Sequence, residues 1–280
     1  KTIVITAAGG SATTNLKTTG TYASPTTLTL TTGATSTATS KAFILYSDNS
    51  PAAQAAIAAM PSLEGGVLLV PSGRYGFNSN IDPGTKPVII NGQGWRHYVQ
   101  PQFGDNAQWF ASASVKGTVL YYGASSGSLL GLLTADGRNF KVRDIALVGP
   151  GSGTPVGVLY DNASTVYNEL DNVLIGNFDV GWKVKDCLDS TGRRPFTYGC
   201  NRGIWLPSSA GGQTVIHLYD IDVEVCGTGV EINGGSLVSL NNGVIQANAV
   251  GTKIAPASAS SVTSVVIQGI WWDSCGEERR

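Results

Sequence analysis

The second half of the chain repeats a glycine followed by an alternating apolar triplet. The repeats begin 24, 22, 26 and 22 residues apart, and they are Gly157-Val158-Leu159-Tyr160, Gly181-Trp182-Lys183-Val184, Gly203-Ile204-Trp205-Leu206, Gly229-Val230-Glu231-Ile232 and Gly251-Thr252-Lys253-Ile254. Each repeat contains strand-like alternation and turn residues, with no helical period. Repeats of this length predict a solenoid in which every coil adds one layer of strands.

A second repeated element precedes most of these triplets. It places an Asp or Asn between two short apolar stretches, as in Val142-Arg143-Asp144-Ile145-Ala146-Leu147, Leu170-Asp171-Asn172-Val173-Leu174-Ile175 and Leu218-Tyr219-Asp220-Ile221-Asp222-Val223. We interpret this Asp or Asn as a corner between two strands. A leucine-rich horseshoe would need helical returns, and a propeller would need repeats about twice as long. The predicted fold is therefore all-β, a right-handed single-stranded parallel β-helix.

The alternation also assigns the two faces of each strand. The first and third side chains of every triplet should point into the core, because successive side chains on a strand alternate between faces. The middle residues should form a column on the outside, made up of Leu159, Lys183, Trp205, Glu231 and Lys253.

The N-terminal part of the chain has a different pattern. Residues 1–46 are Thr-rich, and the alternation in Thr26-Thr27-Leu28-Thr29-Leu30-Thr31 predicts short strands that lie against a partner or the end of the main body. Ser47 to Met60 then combines a polar start, an early proline and a run of alanines, which predicts a helix at about 50–60. We expect this helix to cap the open end of a solenoid spanning residues 47–280.

Composition excludes several classes of function. The net charge is -1 and the 18 basic residues form no single stripe, so we expect no nucleic-acid partner. The longest apolar runs, such as Gly66–Val70, are only strand-sized, so we expect no membrane insertion. No metal site and no cofactor is predicted, because the cysteines show no CxxC spacing and have no histidines near them in the sequence. These cysteines are Cys187, Cys200, Cys226 and Cys275. Cys200 and Cys226 lie one repeat apart, and they form either free core thiols or a disulfide.

The stretch from Asp48 to Trp95 resembles the entry segment of the pectate-lyase-like superfamily. The resemblance rests on Asp48-Asn49-Ser50-Pro51-Ala52-Ala53-Gln54-Ala55-Ala56-Ile57, on Gly65-Gly66-Val67-Leu68-Leu69-Val70-Pro71-Ser72-Gly73-Arg74-Tyr75 and on Val88-Ile89-Ile90-Asn91-Gly92-Gln93-Gly94. That superfamily includes phage tailspikes, capsule depolymerases and some secreted glucanases. The Thr-rich leader is more similar to the virion-proximal part of a tailspike than to a secreted enzyme. The resemblance implies a homotrimer in a virion tail, contacts with other tail proteins, and a bacterial surface polysaccharide as ligand.

A glycan-cleaving groove needs two carboxylates on an outer face, separated by roughly 5 to 9.5 Å in hydrolases. Asp222 and Glu224 meet that spacing, since alternate residues of a strand lie about 6.8 Å apart. A shift of one repeat places Phe196 beside Asp222 and Tyr198 beside Glu224, with Arg194 at the corner. The sequence thus predicts Asp222 and Glu224 as catalytic candidates. The alternative is a solvated strand face whose acids only maintain solubility.

Further candidates lie outside that pair. Predicted substrate-binding residues are Tyr198, Arg194 and, on the outer column, Trp205 and Glu231. Trp271 and Trp272 cannot both face inward, because neighbouring side chains of a strand point to opposite faces. The outward tryptophan lies in an interface, or it forms a second acidic site with Asp273 and Glu277. We favour the interface. His217 is expected to be a surface residue rather than a base.

The predicted function is that of a tailspike-type protein that binds, and in its enzymatic form cleaves, a bacterial polysaccharide. The alternatives are a non-catalytic tail attachment or adaptor protein, and a secreted polysaccharide lyase or glycoside hydrolase. Gly276 falls 25 residues after Gly251 and is interpreted as a further member of the glycine repeat. The charged residues that follow it imply that the solenoid ends there or that the native polypeptide continues.

Overall fold

The computed structural model describes residues 2–5, 16–24, 27–30, 43–96, 116–133, 139–207, 214–256 and 262–276. Four short strands at the start of the chain form an antiparallel sheet in the order β3-β2-β1-β4. They are β1 (Thr2–Ile5), β2 (Leu16–Ser24), β3 (Thr27–Leu30) and β4 (Phe43–Tyr46). The Thr-rich segment therefore contains the short strands that its alternation predicts. Its contact with a partner stays a prediction.

One helix, α1 (Ser50–Ala58), follows this sheet. At its start, the Asp48 carboxylate accepts hydrogen bonds from the backbone nitrogen of Ser50 at 3.0 Å and from its hydroxyl at 2.6 Å. At its end, the Lys86 ammonium donates to three carbonyl oxygens, those of Ile57, Ala58 and Met60. Both contacts satisfy groups that helix ends leave unpaired. Within the described ranges, no helix is long and apolar enough to span a bilayer.

The remaining strands form the predicted solenoid. Their bounds are β5 (Gly66–Leu69), β6 (Gly73–Phe77), β7 (Val88–Asn91), β8 (Trp95–Arg96), β9 (Lys116–Tyr122), β10 (Ser128–Leu132), β11 (Lys141–Val148), β12 (Val156–Thr165), β13 (Asn168–Gly176), β14 (Val180–Cys187), β15 (Asp189–Arg193), β16 (Phe196–Tyr198), β17 (Arg202–Leu206), β18 (Val215–Glu224), β19 (Thr228–Ile232), β20 (Gly235–Gln246), β21 (Val250–Ile254) and β22 (Val262–Asp273).

These strands form two sheets that share one core. Six strands make a narrow sheet in the order β10-β12-β14-β17-β19-β21. A broad sheet runs β22-β20-β18-β15-β13-β11-β7-β5, with β6, β8, β9 and β16 attached at its side. Strands within each sheet pair in parallel, apart from the short antiparallel pair of β8 and β9. From β10 onward the chain alternates between the sheets, so the fold is a parallel β-helix of about six turns.

The glycines of the repeated triplets stack into a ladder along the solenoid. A Cβ atom on Gly157, Gly181 or Gly203 would lie 2.6 Å from the backbone oxygen of the equivalent glycine one turn later. A Cβ on Gly229 would lie 2.5 Å from the oxygen of Gly251. Real Cβ atoms do not approach oxygen this closely, so the ladder admits only glycine. Steric contact between turns therefore explains the repeat.

The predicted corners form a second column. Each long strand of the broad sheet bends at a residue with left-handed backbone, a conformation that Asp, Asn and Gly adopt most readily. The corner residues are Asp144, Asn172, Arg194, Asp220, Asn242 and Gly269, with φ between 50° and 64°. Where two polar corners are adjacent, the Asn172 amide donates to the Asp144 carboxylate at 2.6 Å.

The corners divide the outer surface of the broad sheet into two faces. We term the part before each corner the leading face; it comprises 141–143, 169–171, 191–193, 217–219, 239–241 and 266–268. The part after each corner is the trailing face; it comprises 146–148, 174–176, 196–198, 222–224, 244–246 and 271–273. With the narrow sheet, the solenoid thus has three outer faces.

In the last four turns of the solenoid, the lengths of the turns vary on one side only. The step from a corner to the start of the next narrow-sheet strand is constant in the last four turns: Asn172 to Val180, Arg194 to Arg202, Asp220 to Thr228 and Asn242 to Val250. The step from the narrow-sheet strand to the following corner differs from turn to turn. In these four turns, the variation in repeat length therefore falls between the narrow sheet and the leading face.

The core lies between the sheets, and it confirms the assigned strand faces for the first four triplets. The first and third residues of those triplets are fully buried; they are Val158, Tyr160, Trp182, Val184, Ile204, Leu206, Val230 and Ile232. The interpretation of Gly276 is wrong. Its backbone nitrogen donates to the Asn248 carbonyl, as the Ala249 nitrogen does to Cys226 one turn earlier. Gly276 therefore occupies the turn position of Ala249, and the side chain of Cys275 lies against Gly251 instead.

The four cysteines are free thiols, three of them buried. Cys200 and Cys226 lie on adjacent turns, as their spacing predicts, and their thiols hydrogen-bond to each other. Of the two alternatives left open by the sequence, the structure therefore contains the core thiols. Burial and the neighbouring Cys226 raise the pKa of the Cys200 thiol well above its usual range.

Candidate functional site

Asp222 and Glu224 lie together on the trailing face, as predicted. The register places Asp222 between Phe196 on the preceding turn and Val244 on the next. Glu224 lies correspondingly between Tyr198 and Gln246. One turn further on, Trp271 continues the row of Asp222 and Asp273 continues the row of Glu224. We term the polar and aromatic residues in the last three turns of these two rows the trailing strip: Asp222, Glu224, Gln246, Trp271 and Asp273.

The carboxyl groups of Asp222 and Glu224 hydrogen-bond to each other. Burial, the charge of Glu224 and this hydrogen bond raise the pKa of Asp222 to about 7. Apart from this contact, the buried Oδ1 atom of Asp222 has no hydrogen-bond partner among the described residues. The arrangement therefore holds one proton on the pair near neutral pH. It also brings the two groups closer than the 5 Å that the sequence argument assumed.

Glu224 is the more fixed member of the pair. Its side chain accepts a hydrogen bond from the Gln246 amide, and the residue is only 8% exposed. Burial raises the pKa of Glu224, while the hydrogen bonds from Gln246 and Asp222 partly offset that effect. A proton on this pair therefore resides on Asp222 rather than on Glu224, because Glu224 has two hydrogen bonds that favour its charged form.

Tyr198 does not form the exposed aromatic surface that the sequence predicted. It is 2% exposed and belongs to an apolar cluster on the outside of the broad sheet. That cluster comprises Val119, Tyr121, Ala146, Val148, Leu174 and Tyr198, with Trp95, Phe196 and Val225 packed against it. Strand alternation identifies outward positions, but it does not reveal which of them are covered. Tyr198 is therefore a buried neighbour of Glu224 on the preceding turn, and burial raises the pKa of its hydroxyl.

Trp95 connects this apolar cluster to the corner column. Its ring lies 5.9 Å from the ring of Phe196, and its indole nitrogen donates to the Asn172 carbonyl at 2.7 Å. The trailing face therefore changes character along the solenoid. The earlier turns are apolar and buried, whereas the last three described turns present the trailing strip.

Trp271 supplies the exposed aromatic group of the strip. It is 61% exposed, and Asp273 beside it is also exposed. Trp272 packs against the core and donates its indole N–H to the Thr252 hydroxyl at 3.2 Å. The prediction that only one of the two tryptophans faces inward is confirmed. The combination of Trp271 with Asp222 and Glu224 was missed, although adding one repeat length to Val244 would have found it.

Arg194 lies at its predicted corner but contacts a different acid. Its guanidinium donates to the Asp171 carboxylate at 2.7 Å, and its side chain is 60% exposed. This ion pair raises the pKa of Arg194. Since the guanidinium is directed toward the leading face, it is not brought to the pair of Asp222 and Glu224.

Trp205 and Glu231 lie on the narrow sheet, away from the trailing strip. The Trp205 ring is flanked by the Lys183 ammonium at 4.5 Å and the Arg202 guanidinium at 4.4 Å. Glu231 accepts from Arg202 at 2.8 Å and from Lys253 at 3.0 Å. Burial alone would raise the pKa of Glu231, but these cations outweigh it and lower the pKa. Both side chains are therefore engaged in a ladder of charged and aromatic groups between turns.

The leading face carries a separate polar network. His217 faces outward, as predicted, and its Nδ1 atom lies 2.6 Å from the Ser239 hydroxyl oxygen. The Asn241 amide donates to the same hydroxyl at 3.0 Å. Among the described residues, no group of three His, Cys, Asp or Glu side chains is placed to hold a metal ion. Asp273 is the described member of the second acidic candidate site, and Glu277 lies outside the described residues.

Comparison with known proteins assigns no family. No protein-family model matches the chain, and no curated protein matches it. The chain is similar to ORF18 of Geobacillus virus E2, with a TM-score of 0.37 and 12% identity over 84% of this chain and 60% of that chain. It is also similar to the A-module of the mannuronan C-5 epimerase AlgE4 of Azotobacter vinelandii, with a TM-score of 0.36 and 14% identity over 82% of this chain and 85% of that chain.

The chain thus spans about 60% of the length of the viral protein. Neither likeness is strong enough to assign a function. The assignment as a parallel β-helix rests on the strand pairing itself.

Proposed function

We propose that this protein binds a bacterial surface polysaccharide along the trailing strip, as a tailspike-type attachment protein. The observation that carries the proposal is the exposed Trp271, which stands on a rigid sheet beside a row of hydrogen-bonding groups. An exposed aromatic ring offers an apolar face to a sugar ring, and carboxylates and amides bind sugar hydroxyls. Three consecutive turns give the strip a length of about 10 Å along the solenoid axis.

The rigidity of the site supports binding at low entropic cost. Glu224 and Gln246 are already hydrogen-bonded to each other across turns, and the strands beneath them are paired on both sides. A preformed site loses little conformational entropy when a ligand binds. The tailspike assignment adds a homotrimeric assembly in a virion tail, in contact with other tail proteins; a secreted location is the alternative.

Cleavage of the bound glycan is the second candidate function, favoured by the pKa of Asp222 near 7. A carboxyl group that keeps its proton near neutral pH can donate it to a glycosidic oxygen, and the ionised Glu224 can act as nucleophile or base. In the unliganded protein the two groups contact each other. A glycosidic bond between them would replace that contact and restore the separation that hydrolysis requires.

The test of binding compares two aromatic substitutions. Trp271→Ala should weaken binding to the recognised glycan about five- to thirtyfold, which corresponds to roughly 1–2 kcal/mol for one aromatic contact. Tyr167→Ala is the matched control, because Tyr167 is 62% exposed and lies away from the strip. Binding would be measured by affinity electrophoresis across capsular and lipopolysaccharide glycans. If Trp205→Ala impairs binding and Trp271→Ala does not, the glycan binds at the narrow sheet.

Two further measurements separate the alternatives. Release of reducing ends or unsaturated sugars that is lost in Asp222→Asn and Glu224→Gln, with folding intact, would establish cleavage. Sedimentation at the mass of a single chain would contradict the homotrimeric tail assignment. If the protein binds none of the glycans tested, the proposal as a whole is contradicted.

A further inference from the structure

We infer that the trailing strip selects an uncharged glycan and rejects polyanionic ones such as polyuronates. This inference rests on the proposed function and concerns the chemistry of its ligand. The strip contains three carboxyl groups, on Asp222, Glu224 and Asp273, and a neutral amide on Gln246. None of the three carboxyl groups forms an ion pair with a described cation. A ligand carboxylate bound here would therefore meet carboxyl groups and one neutral amide, with no described cation to pair with it.

The other two faces of the solenoid balance their charges differently. On the leading face, Glu169 contacts Lys141 and Arg143, and Asp171 contacts Arg194. On the narrow sheet, Arg202 and Lys253 neutralise Glu231. On the same sheet, Lys185 neutralises Asp161. Cross-turn ion pairs are thus a regular device of this fold. Their absence from the described part of the trailing strip is a local property of that surface.

The surroundings of the acid pair support the same conclusion. No cation contributes to the pKa of Asp222 or of Glu224. The trailing face as defined contains no Lys or Arg; the rows continue through β9 to β6, where Arg74 lies at the opposite end of the sheet. A polyuronate needs cations close to its carboxylates. Repulsion between like charges a few ångströms apart at a partly buried surface is large enough to change affinity about tenfold or more.

The test uses a matched pair of ligands. The recognised polysaccharide, or a commercial polyuronate, is compared with its carboxyl-reduced derivative, in which each uronic acid has become a neutral sugar. We expect the wild-type chain to bind the neutral form at least tenfold more tightly at low ionic strength. Raising the salt concentration should reduce this ratio, because screening weakens repulsion between exposed charges.

Substitutions then locate the source of the discrimination. The double variant Glu224→Gln with Asp273→Asn should reduce the ratio of neutral to acidic affinity at least fivefold. The control is Glu169→Gln, which removes an ion-paired acid from the leading face and should leave the ratio as in the wild type. A ratio that the double variant does not change would overturn the inference.

The remaining outcomes distinguish the two proposals. If the wild-type chain binds the polyuronate as well as or better than the neutral form, the inference on charge is wrong and polysaccharide binding stands. If the chain binds neither member of any pair, polysaccharide binding itself is refuted, and the inference is refuted with it.

Discussion

Replacement of Asp222 by Asn should stabilise the protein above neutral pH and have little effect in acid. The folded protein raises the pKa of this carboxyl group from 3.8 to about 7. Below pH 3.8 the group is protonated in both the folded and the unfolded state, so it does not favour unfolding. Between pH 3.8 and about 7 the unfolded chain releases this proton while the folded protein keeps it, so stability is lost across that interval and levels off above pH 7. An asparagine removes that pH-dependent cost while it can still donate a hydrogen bond to Glu224.

The magnitude follows from the size of the shift. About three pKa units correspond to roughly 4 kcal/mol at most, since each unit is about 1.4 kcal/mol. The group is partly exposed, and solvent screening reduces the effect to about 2 kcal/mol. The stabilisation of Asp222→Asn should therefore grow from near zero at pH 4 to about 2 kcal/mol at pH 8. For a chain of this size, that gain raises the midpoint of thermal unfolding by about 4–8 °C.

Urea unfolding followed by circular dichroism at pH 4 and pH 8 would measure this difference. Asp273→Asn is the control, because Asp273 lies on the same face but is exposed, and its replacement should change stability by less than about 0.5 kcal/mol. A variant that is less stable than the wild type at pH 8, or a difference that does not depend on pH, would refute the reasoning about the carboxyl pair.

Three further predictions concern the scaffold. Lys86→Met removes three hydrogen bonds at the end of the helix and should lower the free energy of unfolding by about 1–2 kcal/mol, measured by urea titration. Gly203→Ala forces a Cβ against the next turn and should lower the free energy of unfolding by more than about 3 kcal/mol. The control is Gly84→Ala, whose site is open, and it should cost about 1 kcal/mol for its left-handed backbone alone. Equal losses in the two variants would contradict the steric explanation of the ladder. The buried thiols of Cys200 and Cys226 should resist alkylation by iodoacetamide in native buffer and react in denaturant; rapid native labelling, followed by mass spectrometry, would show that the core opens.

The sequence predicted the coils well because the same steric constraint recurs in every turn. The glycine of each triplet and the Asp or Asn of each corner occupy positions where the backbone itself restricts the residue, as at Gly203 and Asp220. Such restrictions leave a mark on the sequence. Gly276 shows the limit of this logic, since a glycine at the expected spacing occupies a turn position instead of the ladder.

The surroundings of the site were harder to predict. Alternation placed Asp222 outward, but it could not show that Tyr198 would be buried, because coverage of an outer face depends on distant parts of the chain. The partners of Glu231 lie on other turns and become visible only when the register is known. Trp271 joins the strip for the same reason: its position relative to Asp222 depends on the lengths of two intervening turns.

The uneven turn lengths have a consequence for how such a protein can change. In the last four turns, differences in length are accommodated where the chain passes from the narrow sheet to the leading face, while the step from each corner to the narrow sheet stays constant. Mutation can therefore lengthen or exchange these connections without altering the spacing of Asp222, Glu224 and Trp271 on the opposite side of the corner. The connections between the narrow sheet and the leading face can therefore vary in length while the geometry of the trailing strip stays the same. A designer could graft new loops at these connections.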